Sequence, residues 1–330
     1  MESYHLIIVG VGPAGLTASI YASRYRLKNL VIGKQLGGEL ALAHKIENYP
    51  GFRAIKGTEL AQKMGEQVEG LGAKILYEEI GKIERAADQE KGFVVETAAG
   101  KKYYTQALIV ATGSERRRLG IPGEKELVGR GISYCTTCDA PFYRGKIVGV
   151  VGGSDAAVTG AIHTAEFAKQ IFLIYRGEQL RAEPIWLEEL KKLIDSGQVT
   201  VIYKTNLVKV LSKAMIQNNQ DVYDLVGGVE LDNPYSDSTR LPLDGLFIEI
   251  GGVPGTALIK PLGVKLTKSG HVQVDEGMRT DVTGLFCAGD MVDKSAVIQQ
   301  AVIAMAQGAM AAASAYKFLK GSEAPRILGI

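Results

Sequence analysis

The chain has 330 residues, 46% of them hydrophobic and 22% charged, with a formal net charge of +2. That length suits two ordinary domains with enough buried area to need no disulfide staples, and the near-balanced, interspersed charge argues against a nucleic-acid footprint or an acidic tail. Its 40 glycines exceed the usual roughly 7% and point to backbone conformations that other residues resist.

The opening MESYHLIIVG has neither the basic nor the apolar region of a signal peptide and reads as a first strand, so a reducing cytoplasm is the expected compartment. Residues 5–10 form that strand and run directly into GVGPAG, residues 10–15. The TASIYASRYRL that follows, with Ile20, Ser23 and Leu27 at helical spacing, predicts a helix. A second strand follows at residues 29–32, then GKQLGGEL, which reads as a glycine loop and not as a helix start. Residues 107–113, ALIVATG, are a further apolar strand stopping on glycine.

After Gly120, Pro122 and Gly123 comes YCTTCDAPF, and then the pattern restarts: a strand at 146–151, GGSDAA at 152–157, a helix predicted over 158–169 and a strand at 170–175. LFIEIG, residues 246–251, is the counterpart of ALIVATG. Two strand, glycine-turn, helix, strand units in one chain predict an α/β protein of two Rossmann-like, three-layer dinucleotide-binding domains. A last strand at 280–290, TDVTGLFCAGD, and the helix after it have nothing to pack on in the second unit and are expected to return to the first. The predicted domains are therefore residues 1–117 with 250–330, and 118–249 inserted between them. Gly251, Gly252 and Pro254 mark the second crossing, and two crossings at one place suit a hinge. The apolar stretch 296–316 contains Gln299, Gln300 and Gln307, each costly in lipid, so it reads as a small-residue helix packed within a protein and not as a membrane span.

Gly10, Gly12 and Gly15 stand in the context a dinucleotide loop needs. The first glycine permits the turn, the second admits a pyrophosphate and the third lets the helix approach the strand, with free helix N–H groups facing the phosphate. The acid expected after the second strand is absent, since residues 30–34 read LVIGK. In the second loop the frame falls on Gly152, Ser154 and Ala157, so a serine replaces the middle glycine. Tyr175, Arg176 and Gly177, with Arg181 beyond, stand where an acid would bind a ribose hydroxyl, and arginines there suit a 2′-phosphate.

The pair Cys135 and Cys138 is the remaining chemistry. A zinc site needs a second pair of ligands, but Cys287 stands alone and His5, His44, His163 and His271 are scattered. Two buried structural thiols would explain neither the spacing nor Asp139 directly behind. A CxxC pair can close a readily exchanging disulfide ring, and Asp139 is placed as a general acid. Two dinucleotide loops and a dithiol suggest an electron path from nicotinamide to flavin to disulfide to an external partner.

Together GVGPAG, GKQLGGEL, ENYPGF, ALIVATG, YCTTCD, the second loop, CAGD and QQA resemble the low-molecular-weight thioredoxin reductases across essentially the whole chain. The resemblance implies an FAD-containing cytoplasmic homodimer that moves electrons from NADPH through the Cys135/Cys138 pair, with Asp139 as acid, to thioredoxin or a thioredoxin-like protein. Neither a nucleic acid nor a membrane partner is implied. It places Gly10, Gly12, Pro13, Ala14 and Gly15 at the FAD pyrophosphate, and Gly33, Gly37, Gly38, Glu39 and Leu40 around the flavin side. Asn48, Thr112, Gly113, Gly289, Asp290, Gln299, Gln300 and Ala301 would be further FAD contacts, Asp290 at the ribityl or pyrophosphate region. NADPH would fall on Gly152, Gly153, Ser154, Asp155, Ala156, Ala157, Tyr175, Arg176 and Arg181. Cys287, where the family usually has alanine, reads as a small buried hydrophobe.

The departures concentrate at the nicotinamide site, where GGSDAA replaces GGGxxA, Thr159 and Gly160 replace acids, and Tyr175-Arg176-Gly177 replaces HRR. One rival reading keeps flavin and disulfide but takes electrons from a donor such as ferredoxin. A rival of another class is a redox-inert flavin- or nucleotide-binding module.

Overall fold

The computed structural model describes residues 1–43, 46–86, 92–217, 221–295 and 299–324. His44 and residues 296–298 of the predicted last helix lie outside them. The chain divides into two compact units, Met1–Glu115 with Val253–Ile330, and Arg116–Gly252.

The first unit begins with β1 (Glu2–Val9), α1 (Pro13–Arg24), β2 (Asn29–Ile32), a 3₁₀ turn (Gly38–Leu42), α2 (Gly57–Gly70), β3 (Lys74–Leu76), β4 (Ile80–Arg85), β5 (Phe93–Thr97) and β6 (Lys102–Val110). β7 (Ser114–Arg116) then leads to the second unit. Its elements are α3 (Glu124–Leu127), β8 (Ile132–Ser133), α4 (Thr136–Asp139), β9 (Ile147–Val151), α5 (Asp155–Ala165), β10 (Gln170–Ile174), α6 (Pro184–Asp195), β11 (Val199–Ile202), β12 (Leu207–Gln217), β13 (Asp221–Tyr235), β14 (Ser238–Pro242) and β15 (Gly245–Ile248). β16 (Gly252–Pro254) pairs with β7 at the crossings, and β17 (Leu285–Cys287) and α7 (Ala301–Lys320) complete the first unit.

In the first unit the sheet order is β3-β2-β1-β6-β5-β4, with β17 also on β6. On the edge away from β1, β6 serves two partners because of its length: residues 102–105 pair antiparallel with β5, and Leu108, Ile109 and Val110 pair parallel with β17. Its sequence shows the change. The first half alternates exposed and buried residues, whereas the ALIV end, flanked on both sides by parallel strands, is buried throughout. The second unit has the order β11-β10-β9-β15-β8, all parallel, beside an antiparallel β12-β13-β14 ribbon. In both units the glycine loop follows a strand with parallel neighbours on either side, β1 between β2 and β6 and β9 between β10 and β15. Ligand crevices of doubly wound sheets open at the carboxyl ends of such strands.

Several element boundaries differ from the sequence pattern. The helix expected from residue 17 starts at Pro13, which needs no N–H in the first turn, and Leu27 lies past its end, buried after the left-handed Arg26. GKQLGGEL is not wholly loop, since a 3₁₀ turn begins at Gly38. α5 starts at Asp155, behind Ser154 as N-cap, three residues before the apolar pattern suggests. α7 runs to Lys320 and is closed by left-handed Gly321. By length and composition α7 could cross a membrane. Its small residues instead bring it against α1: a Cβ at Gly308 would lie 2.1 Å from the Ala14 carbonyl oxygen, and Ala311, Ala312 and Ala315 are fully buried.

Candidate functional site

At the carboxyl end of β1 the three loop glycines have different neighbours. Gly10 has φ +121°, and a Cβ there would lie 2.1 Å from the Ala111 carbonyl oxygen; a Cβ at Gly15 would lie 1.9 Å from the Gly10 oxygen. The chain's own packing therefore excludes side chains at both. A Cβ at Gly12 would meet only the Gly37 oxygen, 3.8 Å away, so the turn leaves open space over its middle position. Beneath that space α1 begins with Pro13 and no side-chain cap, leaving the first-turn N–H groups of Ala14 and Gly15 directed outward. An open cradle backed by free donors fits a pyrophosphate, and the residues present fit FAD.

Several of the other residues matched to FAD lie against this turn. Gly37 donates its N–H to the Val11 oxygen at 2.8 Å, Gly33 abuts Val11, and Gly38 approaches Gly12, with Glu39 and Leu40 following in the 3₁₀ turn. Thr112 donates its hydroxyl to the Gly255 oxygen at 2.7 Å, and Gly113 follows with φ +64°. Gly289, at φ +84°, faces Ala14, and next to it burial pushes the Asp290 carboxyl up while His271 opposes the shift. Asn48 donates to Gln300 at 3.0 Å, between Gln299 and Ala301.

Gln307, absent from the motifs, borders this candidate site. Its buried amide oxygen accepts the Gly289 N–H at 2.8 Å and it also bonds buried Ser295, whose hydroxyl reaches the Gly289 oxygen at 3.1 Å. The signal was an amide in an otherwise small and apolar helix, which has to find partners once buried.

The second loop repeats the contact at its first position, while its third is Ala157 in place of a glycine. Gly152 has φ +143°, and a Cβ there would lie 2.2 Å from the Glu249 oxygen and 2.7 Å from the Ala157 side chain. The middle differs, because Ser154 brings its own Cβ to the N-cap of α5 in extended backbone. The Tyr175 ring covers Gly153, where a Cβ would come within 2.4 Å of it. Asp155 accepts the Glu183 N–H at 2.7 Å, tying the loop to the start of α6, and Ala156 is exposed. The Arg181 N–H donates to the Gly153 oxygen at 2.6 Å, which sets this arginine beside the loop. Arg176 and Arg181 are both exposed, and neither is in an ion pair among the described residues. Two free guanidiniums beside a glycine loop fit a phosphate, while the Ser154 Cβ narrows the approach of a pyrophosphate.

Cys135 and Cys138 are joined by a disulfide, with their Cα atoms 5.3 Å apart. The spacing works because Cys135 is the N-cap of the one-turn α4, and its sulfur accepts the Cys138 N–H at 3.1 Å. Ser133 accepts the Cys135 N–H at 3.0 Å, and buried Thr136 presses on Gly160 of α5, where a Cβ would lie 2.9 Å from the threonine methyl. On the far side Cys138 is exposed, Asp139 follows it, and Phe142 is 80% exposed. Burial first, and then Asp139, push the Tyr143 hydroxyl up to about 12. The third thiol, Cys287, is fully buried, and burial pushes it well above the usual thiol range. Among the described residues no cluster of three or more His, Cys, Asp or Glu could hold a metal ion.

Two dinucleotide-type loops in a chain that also closes a CxxC disulfide define a dinucleotide-dependent disulfide oxidoreductase. The sequence profile of the pyridine nucleotide-disulphide oxidoreductases matches residues 4–308. A thioredoxin reductase of Bacillus subtilis is 36% identical over 318 residues, 96% of this chain and 95% of that one. The crystal structure of the Lactococcus lactis thioredoxin reductase covers 97% of this chain and 100% of its own at 32% identity and a TM-score of 0.84. A ferredoxin-flavin thioredoxin reductase of Clostridium acetobutylicum covers 98% and 100% at 29% identity and a TM-score of 0.51. This chain belongs to the pyridine nucleotide-disulphide oxidoreductase family and, within it, to the low-molecular-weight thioredoxin reductases.

Proposed function

We propose that the protein is an FAD-dependent disulfide reductase that takes electrons from NADPH and delivers them through Cys135 and Cys138 to thioredoxin or a thioredoxin-like protein. The observation that carries this reading is the Cys135–Cys138 disulfide closed around the first turn of α4, with Asp139 behind it. Residues 1–117 with 250–330 would bind FAD through the open turn at Gly12 and the donors of Ala14 and Gly15. Residues 118–249 would bind NADPH, with Arg176 and Arg181 on its 2′-phosphate. Bound FAD supplies a two-electron carrier between nicotinamide and disulfide.

The chain's own residues do the rest. A hydride and a proton enter, the Cys135–Cys138 bond opens to two thiols, and it closes again as the partner's disulfide becomes two thiols. The Cys138 N–H and the start of α4 stabilise negative charge on the Cys135 sulfur when the bond is open. Asp139 gives a proton to the departing thiolate, or takes one from the thiol that attacks. The exposed Phe142 ring, three residues from Asp139, offers the partner an apolar contact. Family resemblance supports a cytoplasmic homodimer, which sedimentation of the purified protein tests.

The deciding experiment is anaerobic stopped-flow reduction with NADPH, followed by a thiol count. Bleaching of the flavin with two new thiols per chain supports the proposal. The Ser154 Cβ favours one second reading, in which the same flavin and disulfide take electrons from a donor such as ferredoxin. If NADPH and NADH both leave the flavin oxidised while reduced ferredoxin bleaches it, that reading replaces the first. Colourless protein, or flavin reduction without new thiols, would leave a redox-inert binding module.

A further inference from the structure

Glu124, the first residue of α3, is 3% exposed, and among the described residues no cation pairs with it. Its carboxylate is held by three neutral donors. The Leu119 N–H reaches Oε1 at 2.9 Å, the Gly120 N–H reaches Oε2 at 2.6 Å, and the Tyr134 hydroxyl reaches Oε1 at 2.6 Å. Leu119 and Gly120 lie in the segment that enters the second unit, and Tyr134 is the residue before Cys135. Burial and the bond to Glu124 both hold the Tyr134 hydroxyl protonated, so it stays a donor. The turn into α3 is itself fixed, because a Cβ at Gly123 would lie 2.4 Å from the Val210 oxygen. A buried carboxylate cannot release one of its donors without leaving charge unsatisfied, so the three groups move together.

We propose that Glu124 is a positioning residue that couples the first crossing segment to the Cys135–Cys138 disulfide through Tyr134. This rests on the reading of Cys135 and Cys138 as the redox pair. With Ser133 on the Cys135 amide and Thr136 seated at Gly160, Tyr134 makes the Cys135 side of the ring the fixed side, while Cys138 is exposed. A cysteine held in place closes its disulfide at a higher effective concentration than a loose one. Because coupling is reciprocal, the redox state of the pair must also act on Leu119 and Gly120.

The test equilibrates the purified full-length protein with graded ratios of reduced to oxidised dithiothreitol. Two electrons and two protons pass from the dithiol to the Cys135–Cys138 bond, and new thiols are counted by alkylation. Tyr134→Phe removes one oxygen and keeps the ring; it is expected to shift the equilibrium toward the dithiol by about three- to tenfold, with the melting temperature within about 3 °C of the parent. Glu124→Gln should shift it in the same direction. In the parent, reduction should speed hydrogen exchange at the Leu119 and Gly120 amides by about threefold or more, and in Tyr134→Phe that redox dependence should vanish. An equilibrium within about twofold of the parent for Tyr134→Phe, or exchange at these amides equal in both redox states of the parent, overturns the coupling. A parent disulfide that never opens across the dithiothreitol series overturns the redox reading itself, and shows this without any variant.

Discussion

In the first glycine loop a Cβ at the middle position would meet nothing nearer than an oxygen 3.8 Å away; in the second loop that position is occupied by Ser154. The first positions agree closely, whereas the third is Gly15 in one loop and Ala157 in the other. Gly10 and Gly152 both have positive φ and both would drive a Cβ to about 2 Å from the carbonyl oxygen of a neighbouring strand end, 2.1 Å at Ala111 and 2.2 Å at Glu249. What the two loops share is what closing a strand, turn and helix requires, and what separates them is the surface offered to a ligand. Glycines that the chain's own packing requires can thus be told apart from one over which space is left open, inside one motif.

Experiments that break this comparison range from large effects to small. Cys135→Ser or Cys138→Ser should lower partner reduction by about a thousandfold or more in steady-state assays, while reduction of bound flavin by the donor persists. Gly15→Ala should destabilise the protein by about 3 kcal/mol in a denaturant melt, because the methyl lands on the Gly10 oxygen. Gly12→Ala should keep stability within about 1 kcal/mol, yet the purified protein should carry much less flavin by absorbance. Equal losses of stability for the two variants would erase the distinction between chain and ligand glycines.

At the second loop, Arg176→Ala should raise the KM for NADPH by about tenfold or more, the worth of one charge-assisted contact, and leave the KM for NADH unchanged. Ser154→Gly, which restores the first loop's open middle, should lower the KM for both nicotinamides. If neither variant moves a nicotinamide KM, the second loop is not the donor site. The smallest effect is expected from Phe142→Ala, a few-fold rise in the KM for the partner with kcat retained, since a single rim aromatic contributes only part of an interface.

How legible each feature was followed from how local its cause is. GVGPAG could be read because positive φ at Gly10 and the closeness of Gly15 to Gly10 arise within six residues of chain. The disulfide was similarly accessible, since two cysteines three positions apart meet across a single helical turn. The helices start at Pro13 and Asp155, ahead of the apolar pattern, because that pattern does not extend into the first turn; at Pro13 proline geometry sets the start. In the sequence Gln307 signals only that its helix does not suit lipid. Its partners, Gly289 and Ser295, lie in the segment after β17, 18 and 12 residues away along the chain.

Residue order alone specified the two strand-turn-helix units, the class of fold and the disulfide pair, because those depend on short-range sterics, periodicity and the reach of neighbouring side chains. Folding settled which groups stand around them: the open space over Gly12, Thr136 in the notch at Gly160, the exposed guanidiniums of Arg176 and Arg181, and Glu124 gathering Leu119, Gly120 and Tyr134. Those partners are set by desolvation. A buried polar group takes whatever donor or acceptor the packed chain brings within about 3 Å, and no spacing along the sequence records which one that will be.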